Sequence, residues 1–358
     1  MADYQIKEKD LVIHILNVGF GDNIVVQFPR SNGRRAFAVV DCYKADKTIK
    51  YLDKLNAATD AECYIDFIAA THPHKDHILG IRKLLEHATW KPGEFWDSGF
   101  RHNTTKYRDI LTTLRDESIP MIRVSSGFET YHGRVRVTVL GPSVMLRNRY
   151  NTYGIDMNNA SIVLRLEHHA DCAMTMESKK YEGTLNTELL RDAGSSVAIL
   201  AGDAEFDSWA RVTQEFPKLE KPDEHDPLVN KMTNYMSCSV LKVAHHGSMH
   251  SSPLDVYEKM HPNLAVISTK QKQSTAAGIT RNMFPHDSAV IALKEAGSRV
   301  LTTDGSFYFE SGGGSTPDAA LSGEGSIVIA IPPGGKPRWT KLDDSAKATP
   351  DPPSILEY

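Results

Sequence analysis

Short apolar blocks alternate with turn-forming residues along the first forty positions. His14-Ile15-Leu16 and the run from Asn23 to Phe28 flank Gly19-Phe20-Gly21-Asp22, and Ala36 to Val40 follows Ser31-Asn32-Gly33. Blocks of this length bounded by Gly, Asn and Ser predict strand, turn, strand, turn, strand. The period then changes. Residues 48–55 read as a helix, Tyr64 to Ala70 is a continuous apolar run of the kind a fully buried strand shows, and Ile81, Leu84, Leu85 and Ala88 recur at helical spacing. Strands at Phe95-Trp96, 121–124 and 135–140 and a helix over 107–115 complete a first half that Gly141-Pro142 closes. A second half has the same alternation, with strands over 161–166, 197–201, 240–244, 265–268 and 300–303 and helices near 206–216 and 288–296. One more strand is expected at 326–331. Two β-rich halves, each followed by helices, predict a layered α/β architecture.

Composition narrows this without redirecting it. With 24% charged and 41% hydrophobic residues among 358, the chain has enough apolar side chains for a large core, which excludes disorder as an overall description. A formal charge of -4 excludes a broadly basic surface for long nucleic acid. No apolar stretch reaches the roughly 18 to 20 residues of a membrane span, and the first residues lack the basic-then-apolar order of a secretory signal, so a cytoplasmic chain without membrane contact is expected. Cys42, Cys63, Cys172 and Cys238 form no CxxC pair and read as small buried thiols, not as zinc ligands. The polar stretches 174–194 and 218–234 read as surface excursions, and 311–315 as a flexible connection.

The chemistry concentrates in Thr71-His72-Pro73-His74-Lys75-Asp76-His77-Ile78, between the buried strand and the next helix. In extended backbone His72 and His74 project to one side, and the turn into the helix brings Asp76 and His77 toward a second position. One loop thus delivers four N/O ligands for two adjacent metals. Two further groups, Gly202-Asp203-Ala204-Glu205 and His245-His246-Gly247-Ser248, each follow a predicted strand, so one rim of a sheet can gather all three.

The first loop resembles the HxHxDH signature of the metallo-β-lactamase superfamily. Within it the chain looks most like the soluble hydrolase domain of ComEC-type competence proteins, through Val18-Gly19-Phe20-Gly21-Asp22, Trp96-Asp97-Ser98-Gly99, Asn158-Asn159-Ala160-Ser161, the GDxE segment at Gly202, Leu241 to Ser248, Ala265 to Ser268 and Pro285-His286. The resemblance runs from about His14 to Phe309. It implies an αββα sandwich of two mixed β-sheets flanked by helices. A hydrolase domain over 1–310 is expected, in halves of about 1–142 and 143–310, then a Gly/Ser-linked strand extension over 311–342 and a disordered tail over 343–358.

The resemblance also implies roles. His72, His74, Asp76 and His77 become metal ligands, Asp203 the carboxylate shared by both ions, and His245 the last histidine ligand. His246 is then an alternative ligand, a support for it or a substrate contact. Asn158 stands where many members carry a histidine, so a neutral amide oxygen joins the ligand set. The third-strand motif is reduced to Asp41-Cys42-Tyr43, and the membrane segments of competence proteins are missing, which speaks against DNA uptake. His168 and His169, at the far end of a strand, read as solvated edge residues.

Imidazole and carboxylate ligands without thiolates suit two divalent ions, zinc first and manganese second. A water shared by two such ions ionises near neutral pH, which makes hydrolysis the expected reaction, with Asp76 orienting the nucleophile, His286 as leaving-group acid and Ser248 as a phosphate contact. A phosphodiester is the expected substrate: a short or single-stranded nucleic acid, or a cyclic or small nucleotide. Two other readings stay open at this point, a small-molecule ester, lactone or phosphorylcholine-type hydrolase on the same fold and a non-catalytic binding module.

Overall fold

The computed structural model describes residues 6–146, 156–168, 196–216, 235–270, 284–306, 308–309 and 323–356. The polar excursions, the flexible connection, Cys172 and His169 lie outside these residues. In chain order the strands are β1 Ile6–Lys7, β2 Leu11–Ile15, β3 Asn23–Gln27, β4 Arg34–Cys42, β5 Glu62–Ala70, β6 Glu94–Asp97, β7 Met121–Arg123, β8 Glu129–His132, β9 Val135–Gly141, β10 Val163–His168, β11 Val197–Leu200, β12 Val240–Lys242, β13 Leu264–Ile267, β14 Arg299–Thr302, β15 Tyr308–Phe309, β16 Ile327–Ile331, β17 Arg338–Lys341 and β18 Ile355–Leu356. The helices are α1 Ala45–Ala57, α2 Lys75–Ile78, α3 Ile81–Leu85, α4 Thr105–Asp116, α5 Phe206–Glu215, α6 Leu254–Met260 and α7 Asp287–Glu295.

The strands form two mixed sheets, ordered β17-β16-β2-β3-β4-β5-β6-β7 and β15-β14-β13-β12-β11-β10-β9-β8. In each, an antiparallel half gives way to a run of parallel strands, β4 to β7 in the first and β11 to β14 in the second. The sheets face one another across an apolar layer to which Ile13, Val26, Phe67 and Ile329 contribute from one side and Val137, Leu164, Leu200 and Val266 from the other. The outer face of the first sheet carries α1, α3 and α4, through Leu52, Ile81 and Ile110; that of the second carries α5 to α7, through Trp209, Tyr257 and Leu293. Helix, sheet, sheet, helix is therefore the layering. Each apolar face is covered because alternate strand residues feed the inner and outer layers.

Three expectations need correction. His168 is fully buried, with Nδ1 2.7 Å from the Ile331 carbonyl, because β10 is covered on both faces and has no solvated edge there. The segment 326–331 is not appended to a finished domain: β16 pairs with β2 and extends the first sheet. The stretch read as a disordered tail is fixed. Asp344 is buried against Lys47, and β18 pairs in parallel with β1. Polar composition was the reason for expecting disorder, and polar partners on α1 are what hold the segment.

Buried His14 on β2 meets the Tyr51 hydroxyl through Nδ1 at 3.0 Å, while its Nε2 has no partner among the described residues. Burial pushes its pKa down to about 3. A histidine held neutral in the fold but free to protonate when unfolded stabilises fully above its unfolded pKa of about 6.5 and loses that contribution as pH falls toward the folded value. Urea unfolding of wild type and His14→Gln at about pH 7.5 and about pH 5 is expected to show the wild type losing on the order of 1–2 kcal/mol more than the variant.

Candidate metal centre

Every candidate ligand but Asn158, which precedes β10, sits just past the C-terminal end of a strand in a parallel run. β5 ends at Ala70 and leads into His72 to His77; β11 ends at Leu200 before Asp203; β12 ends at Lys242 before His245 and His246. Both sheets point these ends to the same rim. Buried Lys242 pairs with buried Asp22, which ties the β2–β3 turn to the second sheet beneath it. The chain makes room for this crowding at two glycines. At Gly21, φ is +132° and a Cβ would stand 2.7 Å from the Asp76 carbonyl oxygen and the Tyr43 ring; at Gly247, φ is +78° and it would stand 2.6 Å from Pro285. Neither position admits a larger side chain without displacing a ligand loop.

Around Asp203 Oδ2 lie His77 Nε2 at 3.2 Å, His72 Nε2 at 3.7 Å and His245 Nε2 at 3.9 Å. Asp76 Oδ2 lies 3.5 Å from His246 Nε2 and 4.0 Å from His77 Nε2. Two ligand groups result, His72-His77-Asp203 and Asp76-His77-His246, each with donor atoms within 4.8 Å of one another. Left-handed backbone at His245 (φ 46°) and His246 (φ 53°) turns the two adjacent side chains to different partners. His246, which the sequence leaves as an alternative ligand, a support or a substrate contact, has its Nε2 beside Asp76 and His77. His74 is half-buried, its ring 4.6 Å from that of His72.

The far side of each ring is anchored. His77 Nδ1 is 2.7 Å from Asp41 Oδ2, His246 Nδ1 is 2.7 Å from the Ser268 carbonyl, His245 Nδ1 is 3.0 Å from Glu205 Oε1, and His72 Nδ1 is 3.2 Å from Thr71 Oγ1. A ring nitrogen that donates to a carboxylate or carbonyl leaves the opposite nitrogen as a bare acceptor aimed inward. Nε2 of His72, His77 and His246, Oδ1 of Asp203 and Oδ1 of Asn158 are all buried without a hydrogen-bond partner. Orphaned acceptors converging on one point are costly unless a cation satisfies them, so the residues fit divalent metal. Electrostatics agree. Against the cost of burial, Asp203 and Asp41 hold the His77 imidazole well above its ordinary pKa, and His77 in turn holds Asp203 well below the usual carboxylate range. Burial, with His77 beside it, pushes His72 down. Although burial opposes it, His246, its Nε2 3.5 Å away, holds Asp76 below its ordinary value.

The remaining predicted residues occupy varied places. Asn158 donates from Nδ2 to Glu205 at 3.0 Å, and Asn159 Oδ1 accepts the Ser208 N–H, so the second asparagine anchors the start of α5. Ser248 is buried, its hydroxyl accepting from His250 N–H. His286 is itself the residue preceding α7; Nδ1 accepts the Met249 N–H at 3.0 Å, which keeps the ring proton on Nε2 as an available donor. Sequence reasoning gave no role to Asp41, to Glu205 as a brace or to Phe20, whose half-exposed ring lies 4.6 Å from that of His246 and 5.9 Å from that of Phe284. Asp41 also accepts from Thr71 N–H and Oγ1–H at 2.8 and 2.7 Å. Its signal was present in the motif position after the third strand. Asp41→Asn is expected to weaken metal affinity about 10- to 100-fold, read by competition with a chromophoric chelator.

No family model matches the chain. It is 24% identical over 240 residues to ComE operon protein 3 of Bacillus subtilis (strain 168), an alignment covering 67% of this chain and 24% of that protein. The chain therefore spans about a quarter of that relative's length. Among solved structures it is similar to the metallo-β-lactamase fold protein YhfI from Bacillus subtilis (12% identity, TM-score 0.42, 85% of this chain and 98% of that one). It is also similar to the Rm3 metallo-β-lactamase (12% identity, TM-score 0.33, covering 68% and 79%). The chain is thus similar in sequence to ComE operon protein 3 over two thirds of its own length, and its two facing sheets with helices outside have the layering that the sequence resemblance implied.

Proposed function

We propose that the chain is a phosphodiester hydrolase working with two divalent ions. His72, His74, Asp203 and His245, with the Asn158 oxygen nearby, would hold one ion, and Asp76, His77 and His246 with Asp203 the other. The observation that carries this reading is the set of buried acceptor atoms without partners, with His72, His77, His245 and His246 anchored from behind. When bound, such ions supply a water-derived nucleophile at neutral pH and neutralise charge developing on phosphoryl oxygens. The chain's own residues do the rest. Asp76, kept ionised and partly open to solvent, accepts a hydrogen bond from the attacking water and orients it. His286 offers its Nε2 proton to the leaving oxygen. Phe20 and Phe284 close the apolar side of the mouth and exclude water. The motif resemblance to the ComEC-type hydrolase domain, which the similarity to ComE operon protein 3 accompanies, is what favours a phosphodiester over other bonds.

The test is metal content by plasma mass spectrometry together with hydrolysis of bis-p-nitrophenyl phosphate. Roughly two ions per chain are expected for a two-metal site, with turnover lost in Asp76→Ala and His74→Ala. Cleavage of carboxyl esters alone, or no turnover after adding zinc or manganese, overturns the reading.

A further inference from the structure

Behind the metal centre lies a cavity of about 450 Å³ whose walls include Tyr43, Lys44, Lys47, Lys83 and Lys347. Two of these lysines are neutralised: Lys47 by Asp344 and Lys83 by Asp46. The others are not. Lys44 donates to the Ala346 carbonyl at 3.1 Å, and neither it nor Lys347 meets a carboxylate among the described residues. Lys270 lies outside the cavity wall but close enough to act on Lys44, its side chain 3.3 Å from where a Cβ of Gly19 would stand. Burial and the charges of Lys47, Lys270 and Lys347 push the Lys44 ammonium below its ordinary pKa. Asp46 also lines the space but is paired with Lys83, so the charge left over is that of Lys44 and Lys347, which a bound anion would offset.

The cavity adjoins the site through one thickness of chain. Gly21 packs against both the Tyr43 ring and the Asp76 carbonyl, Asp22 N–H donates to that carbonyl at 3.1 Å, and the cavity residues Leu79 and Gly80 follow the helix carrying Asp76 and His77. The segment Gly19-Phe20-Gly21 is the divider: Gly19 touches Lys270, Phe20 lies over His246, and Gly21 meets Tyr43. On the cavity side the first turn of α1 has no side-chain cap, so its N–H groups add to the positive field.

We infer that this lysine-lined cavity is a second phosphate subsite, holding a backbone phosphate of a single-stranded nucleic acid next to the phosphodiester at the metal centre. The inference rests on the phosphodiesterase reading for its substrate class and adds how a chain of net negative charge grips a polyanion: through a local pocket, not a basic surface. Phe20, exposed beside His246 on the Gly19-Phe20-Gly21 segment, would offer a neighbouring base a stacking face.

The experiment is fluorescence anisotropy of a short fluorescein-labelled oligothymidylate on the full chain stripped of metal, so that binding is read apart from catalysis. Lys44→Met and Lys347→Ala are each expected to reduce the slope of log affinity against log salt by about 0.7, and Lys44→Arg to keep it, since single strands release about 0.7 counterion per phosphate neutralised. Unfolding midpoints check that the variants are folded. No binding by the wild type, or an affinity and salt slope that both substitutions leave unchanged, overturns the inference. Loss of binding in the variants while wild-type protein fails to hydrolyse bis-p-nitrophenyl phosphate sustains the subsite and removes only the catalytic reading.

Discussion

Replacing Asp203 with asparagine is expected to lower bis-p-nitrophenyl phosphate turnover by about 10³-fold or more and to strip the chain of bound metal. One oxygen of this carboxylate lies within 3.9 Å of three imidazole nitrogens belonging to His72, His77 and His245, and the other is buried without a partner. Asparagine keeps the shape, removes the charge and replaces one acceptor with a donor that faces imidazole nitrogens. Neutralising charge on a phosphoryl oxygen is worth several kcal/mol, and each 1.4 kcal/mol is about tenfold in rate, which sets the magnitude. A second readout is independent of turnover. Added zinc or manganese stabilises a protein that binds it in the folded state, so the unfolding midpoint of the wild type should rise with metal and that of Asp203→Asn should not. A variant that keeps about two ions and most of its activity would remove Asp203 from the shared position.

Much of this centre was legible in the sequence because its parts are short and stand at strand ends. A continuous apolar run marks β5, and the run of histidines after it has no packing use; the same logic marks Asp203 after β11 and the His245-His246 pair after β12. The division of labour between those two histidines was not legible. It depends on left-handed backbone at both and on whether Glu205 or the Ser268 carbonyl lies behind the ring. Asp41 was hidden similarly, since its φ of 58° at the end of β4 turns the carboxylate toward His77. The errors share a cause. His168 and Asp344 are polar residues buried against partners more than a hundred positions away, and alternation of polar and apolar residues carries no information about such partners.

Substituting Lys47 with methionine is expected to cost about 3 kcal/mol in urea unfolding, the low end of what breaking a buried ion pair costs. The Lys47 side chain is 3% exposed and that of Asp344 1%, with Nζ 2.5 Å from Oδ2. The same ammonium donates to the carbonyls of Asn17 at 2.6 Å and Ser345 at 3.0 Å, so one cation satisfies three acceptors from two distant segments. Asp344 also accepts from Ser326 N–H and Oγ–H at 2.6 and 2.9 Å, which is why the carboxylate left behind is partly compensated and the cost falls at the lower end. Removing the carboxylate as well, in Lys47→Met with Asp344→Leu, is expected to recover part of the loss, because no uncompensated charge then remains buried. Were the C-terminal segment only a tail, neither substitution would move stability by more than a few tenths of a kcal/mol. Ala346 and Lys347 follow Asp344 into the lysine-lined cavity, so the Asp344–Lys47 pair, with the Lys44 bond to the Ala346 carbonyl, helps to place them there. Lys47→Met should therefore also weaken oligothymidylate binding, although Lys47 itself is spent on Asp344 and offers no free charge to a phosphate.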